Sequence, residues 1–116
     1  MISTAPTRPA VVARVAIVAL LLCSMGHVSA ARKPATHTVL IEGTQFQPDM
    51  LAVSAGDSIV WVNKDPFPHT VTSKSGGFDS QQIQPGQSWK YRAARRGEFP
   101  YVCSLHPTMR ATLRVR

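Results

Sequence analysis

Cysteine is nearly absent from this chain, with only Cys23 and Cys103 among 116 residues. Cys23 sits in the apolar run Val15 to Cys23, which follows the positive Arg8 and Arg14 and precedes the small-residue stretch Val28-Ser29-Ala30. That order reads as a secretory signal peptide over residues 1–30, with the large Leu residues before Cys23 arguing against a lipidated cysteine. Its removal leaves Cys103 alone, which excludes an intramolecular disulfide in an oxidising compartment. Long hydrophobic runs are also scarce. The leader run is too short and wrongly flanked to span a membrane, and no second run of spanning length follows, so a soluble exported product is expected. Acidic residues are few. Beyond residue 30 there are eleven Lys and Arg against six Asp and Glu, a net charge of +5 that favours acidic partners or anionic surfaces. No nucleic-acid-binding motif accompanies that charge, so nucleic acid is not the expected partner. Internal repeats and a convincing helical period are missing as well.

What remains is one small domain, residues 31–116, built from short strands. Ala31 to Thr36 forms a polar lead-in, and Thr38 to Glu42 is β-branched and apolar. Gly43 to Asp49 reads as a turn, Met50 to Ser54 alternates, and Ala55-Gly56-Asp57 is a turn signal. Ser58 to Asn63 is the strongest strand, with Ile59 and Trp61 on one face. Pro66 and Pro68 interrupt any ladder before a further strand over His69 to Ser73. Trp89 and Tyr91 alternate within Gln87 to Arg92, Phe99 to Cys103 forms a strand, and Thr112 to Arg116 closes the chain. Short strands at turn-separated intervals predict an all-β antiparallel sandwich or barrel.

The chemistry concentrates in Phe99 to Met109, F-P-Y-V-C-S-L-H-P-T-M. A thiolate (Cys103), an imidazole (His106) and a thioether (Met109) follow one another at three-residue intervals. His69, in P-F-P-H-T-V, supplies the second imidazole. Soft sulfur with imidazole suits copper, and two His, one Cys and a weak axial Met form the type-1 copper donor set. Zinc fits less well, because its structural sites favour Cys and His at all four positions. An inert buried thiol does not account for the neighbouring His and Met. A Cys–His nucleophile lacks an oxyanion-hole signature, and Cys103 ends a strand instead of opening a helix. Beyond residue 30 the only histidines are His37, His69 and His106, so the His-x-His pairs of a trinuclear, O₂-reducing centre are missing. His37 is expected on the surface of the first strand, Met50 at an apolar strand position, and Trp61 and Trp89 in the core.

Residues Phe46 to Asn63, the Phe67-Pro68-His69 triplet and Cys103-Ser-Leu-His106-Pro-Thr-Met109 together resemble the cupredoxins. The short Cys-x₂-His-x₂-Met segment is most similar to amicyanin, with plastocyanin and pseudoazurin as relatives. The resemblance implies a Greek-key antiparallel β-sandwich, with one type-1 copper ion held at one end by His69, Cys103, His106 and Met109. It also implies a periplasmic, monomeric, non-enzymatic shuttle of single electrons between a donor and an acceptor such as a dehydrogenase, cytochrome or oxidase. Copper delivery or sequestration is the alternative, although the exposed Met- and His-rich tracts of copper carriers are missing. Thr70 stands where relatives carry an Asn that braces the two ligand loops. Thr70 can still offer its backbone N–H to the Cys103 sulfur, so the site is expected to persist with an altered potential. Ala111 replaces a usual Gly, and Pro100 is expected to point outward, opposite to Phe99 and Tyr101. The electron port is expected at the edge of His106, rimmed by Pro68, Pro107, Lys64, Asp65 and Arg110, with Arg95 and Arg96 at the far end.

Overall fold

The computed structural model describes residues 2–7, 9, 10, 26 and 32–116. The apolar leader run and its expected cleavage site lie outside the described residues. Among the described residues nine strands follow in chain order: β1 (Thr36–Ile41), β2 (Phe46–Gln47), β3 (Met50–Val53), β4 (Ser58–Asn63), β5 (Thr72–Ser73), β6 (Phe78–Asp79), β7 (Ser88–Arg92), β8 (Gly97–Cys103) and β9 (His106–Val115). They form two sheets, ordered β2-β1-β4-β7 and β3-β9-β8-β5-β6. No helix among the described residues is long and apolar enough to cross a membrane.

The all-β sandwich is as expected, but the sheets are mixed and not antiparallel throughout. β1 runs parallel to β4, and β3 runs parallel to β9. In both cases the chain visits the other sheet between the two partners and returns in the same direction. Side chains alternate with period two in either orientation, so the residue pattern could not distinguish them.

Other departures cluster near the candidate ligands. The expected turn over residues 43–49 contains the short β2, which pairs with the end of β1. His69 is not in a strand; it makes an isolated bridge with Ile83, and pairing resumes at Thr72. The closing strand starts at His106, not Thr112. Cys103 opposes His106, whereas the preceding Val102 already opposes Arg110. Pro107, Thr108 and Met109 are therefore extra residues on β9, held as a wide bulge that turns the chain at the end of the sheet.

Alternation then fills the space between the sheets. Along β8, Phe99, Tyr101 and Cys103 point inward while Pro100 is exposed, as expected. The Pro100 carbonyl accepts from Ser73 Oγ at 2.7 Å, so the residue remains useful to the neighbouring strand without an N–H. Trp61 is wholly buried, and its indole N–H donates to the Tyr101 hydroxyl at 3.2 Å. The two rings meet edge-on with centroids 5.6 Å apart, a favoured aromatic geometry. Burial pushes the Tyr101 pKa up to about 12, against the lowering effect of the Trp61 N–H. Trp89 stacks on Tyr91 at the half-buried margin of the same cluster. Met50 is exposed on β3, not packed inward.

A charged latch closes the sandwich at the start of β4, the end away from His69. The buried Asp57 carboxylate accepts from the backbone N–H of Ala35 at 3.0 Å and of Ser54 at 3.1 Å. It also pairs with Arg32 and, at 2.9 Å, with His37 Nε2. His37 is therefore half-buried and partnered, where the sequence suggested only a surface position on the first strand. The Ala35 N–H and the His37 ring outweigh burial and hold the Asp57 carboxyl well below its ordinary value of 3.8. A folded-state value below the unfolded one adds stability that is complete above the unfolded pKa and disappears as pH falls through the folded value. Resistance of the metal-free protein to denaturant should accordingly weaken below about pH 4. Asp57→Asn should flatten that acid limb and lower stability at neutral pH. An unchanged acid limb in the variant would mean that other carboxylates set it.

Candidate metal centre

The segment between β4 and β5 is shaped by one buried amide. Asn63 ends β4 with no exposed surface, and its Nδ2 donates to the carbonyls of Phe67 and Ile83, both at 2.9 Å. Its Oδ1 accepts the Asp65 N–H at 3.0 Å. With every polar atom engaged, this side chain folds Pro66 and Pro68 into a fixed path that delivers His69 to the interior.

His69 is fully buried and directed by a carboxylate. Its Nε2 lies 2.7 Å from Asp65 Oδ2, which leaves Nδ1 to face Cys103. Asp65 is 7% exposed, so it is a buried partner of His69 and not the rim charge that the sequence suggested. Its two oxygens accept the backbone N–H groups of Gly43 at 2.7 Å and Thr44 at 2.9 Å. Both residues have positive φ, +63° and +57°, so consecutive N–H groups converge on one anion. Such a conformation is strained for Thr, and it is held where it grips the carboxylate. Burial raises the Asp65 pKa, but the Thr44 N–H, the His69 ring and the Gly43 N–H prevail and hold the carboxyl below its ordinary range. The signal for this role was an acidic residue four positions before the histidine and two after the strand-ending Asn63.

From the other sheet, β8 carries Cys103 inward at zero exposure, and the turn to β9 returns His106 opposite it. Cys103 Sγ lies 3.7 Å from His69 Nδ1 and 3.7 Å from His106 Nδ1. All three donor atoms fall within 4.8 Å of one another. These separations match two bonds of about 2.0 and 2.3 Å opening at roughly 115°, ordinary values for a nitrogen and a thiolate on one metal. The donor set and its spacing therefore fit a metal ion. Met109 lies within the β9 bulge, 3% exposed, beside a surface cavity that it lines with Thr44, Phe46 and Arg110. The Phe67 ring contacts both imidazoles, with centroids 5.2 Å from His69 and 5.7 Å from His106.

Thr70 supplies what its sequence position put in question. Its backbone N–H donates to Cys103 Sγ at 3.3 Å, as expected. Its hydroxyl accepts the Ser104 N–H at 2.8 Å and lies 3.0 Å from Ser104 Oγ. The two ligand-bearing segments are thus joined on both sides of the thiol by one threonine.

Residues 13–115 match the family described as Cupredoxin-like domain, and the chain belongs to that family, whose metal is copper. It is 30% identical over 89 residues to the amicyanin of Paracoccus versutus, a match covering 72% of this chain and 67% of that protein. Among solved structures, a Cu-containing nitrite reductase from Thermus scotoductus superposes with a TM-score of 0.67 at 27% identity. That match covers 77% of this chain but only 24% of the reductase, so the same domain also occurs inside an enzyme. A mutant of amicyanin in its oxidized state superposes with a TM-score of 0.65 at 24% identity, over 70% of this chain and 82% of its own, and shares the fold.

Proposed function

We propose that residues 31–116 form an exported, periplasmic copper protein that carries single electrons between redox partners, with residues 1–30 as its leader. His69, Cys103 and His106 would hold the ion, with Met109 as the weak fourth donor. The observation that carries this reading is the buried Cys103 sulfur standing 3.7 Å from a nitrogen of each imidazole. Copper bound there supplies one-electron Cu(II)/Cu(I) chemistry. The chain's part is to keep the donors still. Asp65 fixes the His69 ring, Thr70 fixes the thiol, and the β8–β9 hairpin fixes His106, so little reorganisation accompanies a change of charge.

The half-buried edge of His106 is the proposed electron port. Phe67 and Leu105 beside it are 39% and 45% exposed, an apolar surface suited to a transient partner. The expected partner is a redox protein whose contact face is apolar with an acidic margin, complementing the net positive charge. Delivery or sequestration of copper fits less well, since the thiol has no exposed surface through which to hand over an ion. No substrate chemistry is proposed for this domain, and it acts as a monomer.

Titration of the purified chain with Cu(II) tests the reading. One equivalent should produce an intense visible thiolate-to-copper band that ascorbate bleaches and a mild oxidant restores. A colourless or redox-inert complex would refute it.

A further inference from the structure

A chain of hydroxyls leads from the candidate metal centre to an exposed carboxylate on the edge of the second sheet. Thr70 Oγ1 lies 2.9 Å from Thr72 Oγ1, and Thr72 Oγ1 lies 3.2 Å from Asp79 Oδ1. Thr72 and Asp79 are direct cross-strand partners between β5 and β6. Asp79 is also fixed locally, because the same Oδ1 accepts the Gln81 N–H at 2.9 Å, with Gln81 in a left-handed conformation. At the inner end, Thr70 Oγ1 meets both the N–H and the hydroxyl of Ser104, the residue that follows Cys103.

Counting hydrogens sets the direction of every bond. An ionised carboxylate only accepts, and each hydroxyl has a single hydrogen to give. Thr72 therefore donates to Asp79, and it can satisfy Thr70 only by accepting. Thr70 then spends its hydrogen on Thr72 and must accept from Ser104 twice, from the N–H and from Oγ. The order is Ser104 to Thr70 to Thr72 to Asp79, with no hydrogen left unassigned. Remove Asp79 and Thr72 is free to donate inward. Thr70 can then turn its own hydrogen toward Ser104 Oγ and loses one of its two bonds from that residue's side as a fixed acceptor.

We infer that Asp79 is a positioning residue for the metal centre, acting through Thr72 and Thr70 on the segment that carries Cys103. The inference rests on the metal-site reading above, and it adds a remote residue that touches no donor atom. Its effect is geometric. Polarising the chain from one end holds Ser104 against Thr70 and keeps the Thr70 N–H on the Cys103 sulfur. Chains of this kind strengthen one another's bonds, so a change at the outer end reaches the inner one.

The test uses Asp79→Ala, Thr72→Val, their double variant, Thr72→Ser and Thr70→Val, each measured in two forms. In the metal-free protein, amide hydrogen exchange at Ser104 should quicken about two- to threefold in Asp79→Ala and in Thr72→Val. The larger loss in Thr70→Val should give roughly tenfold, the range expected for one net hydrogen bond. The double variant should equal either single, and Thr72→Ser should restore the wild-type rate. In the Cu(II) form, the position of the thiolate band should shift in the same rank order. If Thr70→Val changes both readouts while Asp79→Ala and Thr72→Val change neither, the chain ends at Thr70 and the inference is wrong. A double variant that sums the two singles would also overturn it, since the residues would then act separately. If the wild-type protein gives no thiolate band, the metal-site reading fails, while Ser104 exchange in the metal-free protein still judges the hydroxyl chain.

Discussion

Cys103→Ser should abolish the visible band and weaken copper binding by more than about 100-fold while leaving the sandwich folded. Residues that merely support a ligand cost 10–100-fold when removed, and this substitution removes a proposed donor itself. Sulfur is soft and polarisable and suits Cu(I), whereas a serine hydroxyl is hard and remains protonated at neutral pH. The fold has little reason to fail. Cys103 lies on β8 with its backbone paired to β9, and the introduced oxygen can accept the Thr70 N–H that now serves the sulfur. Circular dichroism and a competition titration against a copper chelator separate the two consequences. A variant that keeps the band would remove Cys103 from the donor set.

Asp65→Ala should weaken metal binding by about 10–100-fold and also destabilise the metal-free protein. One buried carboxylate serves three partners here: the N–H groups of Gly43 and Thr44 and the Nε2 of His69. Truncation leaves all three without an acceptor in a dry interior, at a cost above about 2 kcal/mol. It also frees the His69 ring to choose the other tautomer, which would place a hydrogen on the nitrogen facing Cys103. Asp65→Asn discriminates between charge and shape. Its carbonyl can replace one acceptor, but its amide group would meet a second donor, so affinity should recover only partly. Denaturant midpoints and chelator competition on the three proteins provide the check. Wild-type affinity in Asp65→Ala would mean that packing by Phe67 alone orients His69.

How legible this was depended on the range of the interactions. β4 is where the alternation of Ser58 to Asn63 put it, because each inward side chain meets the same core. The grouping of His69, Cys103 and His106 was legible because Cys103 and His106 are three residues apart and His69 follows a proline-rich break. Asp65 was misplaced on the rim. Its burial is decided by the Gly43–Thr44 turn, more than twenty residues earlier, and no local pattern encodes that meeting. The hydroxyl chain was hidden for the same reason, since Thr70, Thr72, Asp79 and Ser104 become neighbours only when β5, β6 and β8 pair. Strand direction was illegible because period-two alternation carries no sign. The bulge was hidden by Pro107, which reads as a loop residue yet lies within β9, between the paired His106 and Arg110.

His69 hangs from a crossover that Asn63 and Asp65 fasten to the first sheet, whereas Cys103, 34 residues later, belongs to the second. An ion gripped by both residues would act as a removable rivet between the two layers, closing a long loop that the unfolded chain would otherwise leave open. Global unfolding would then have to release the ion, so heat resistance and metal occupancy would rise together. At a free-metal level one hundred times the dissociation constant, that linkage adds about 2.7 kcal/mol. A melting curve would thus serve as a binding assay, and weaker grip by either layer would register as a lower transition temperature before any colour was measured.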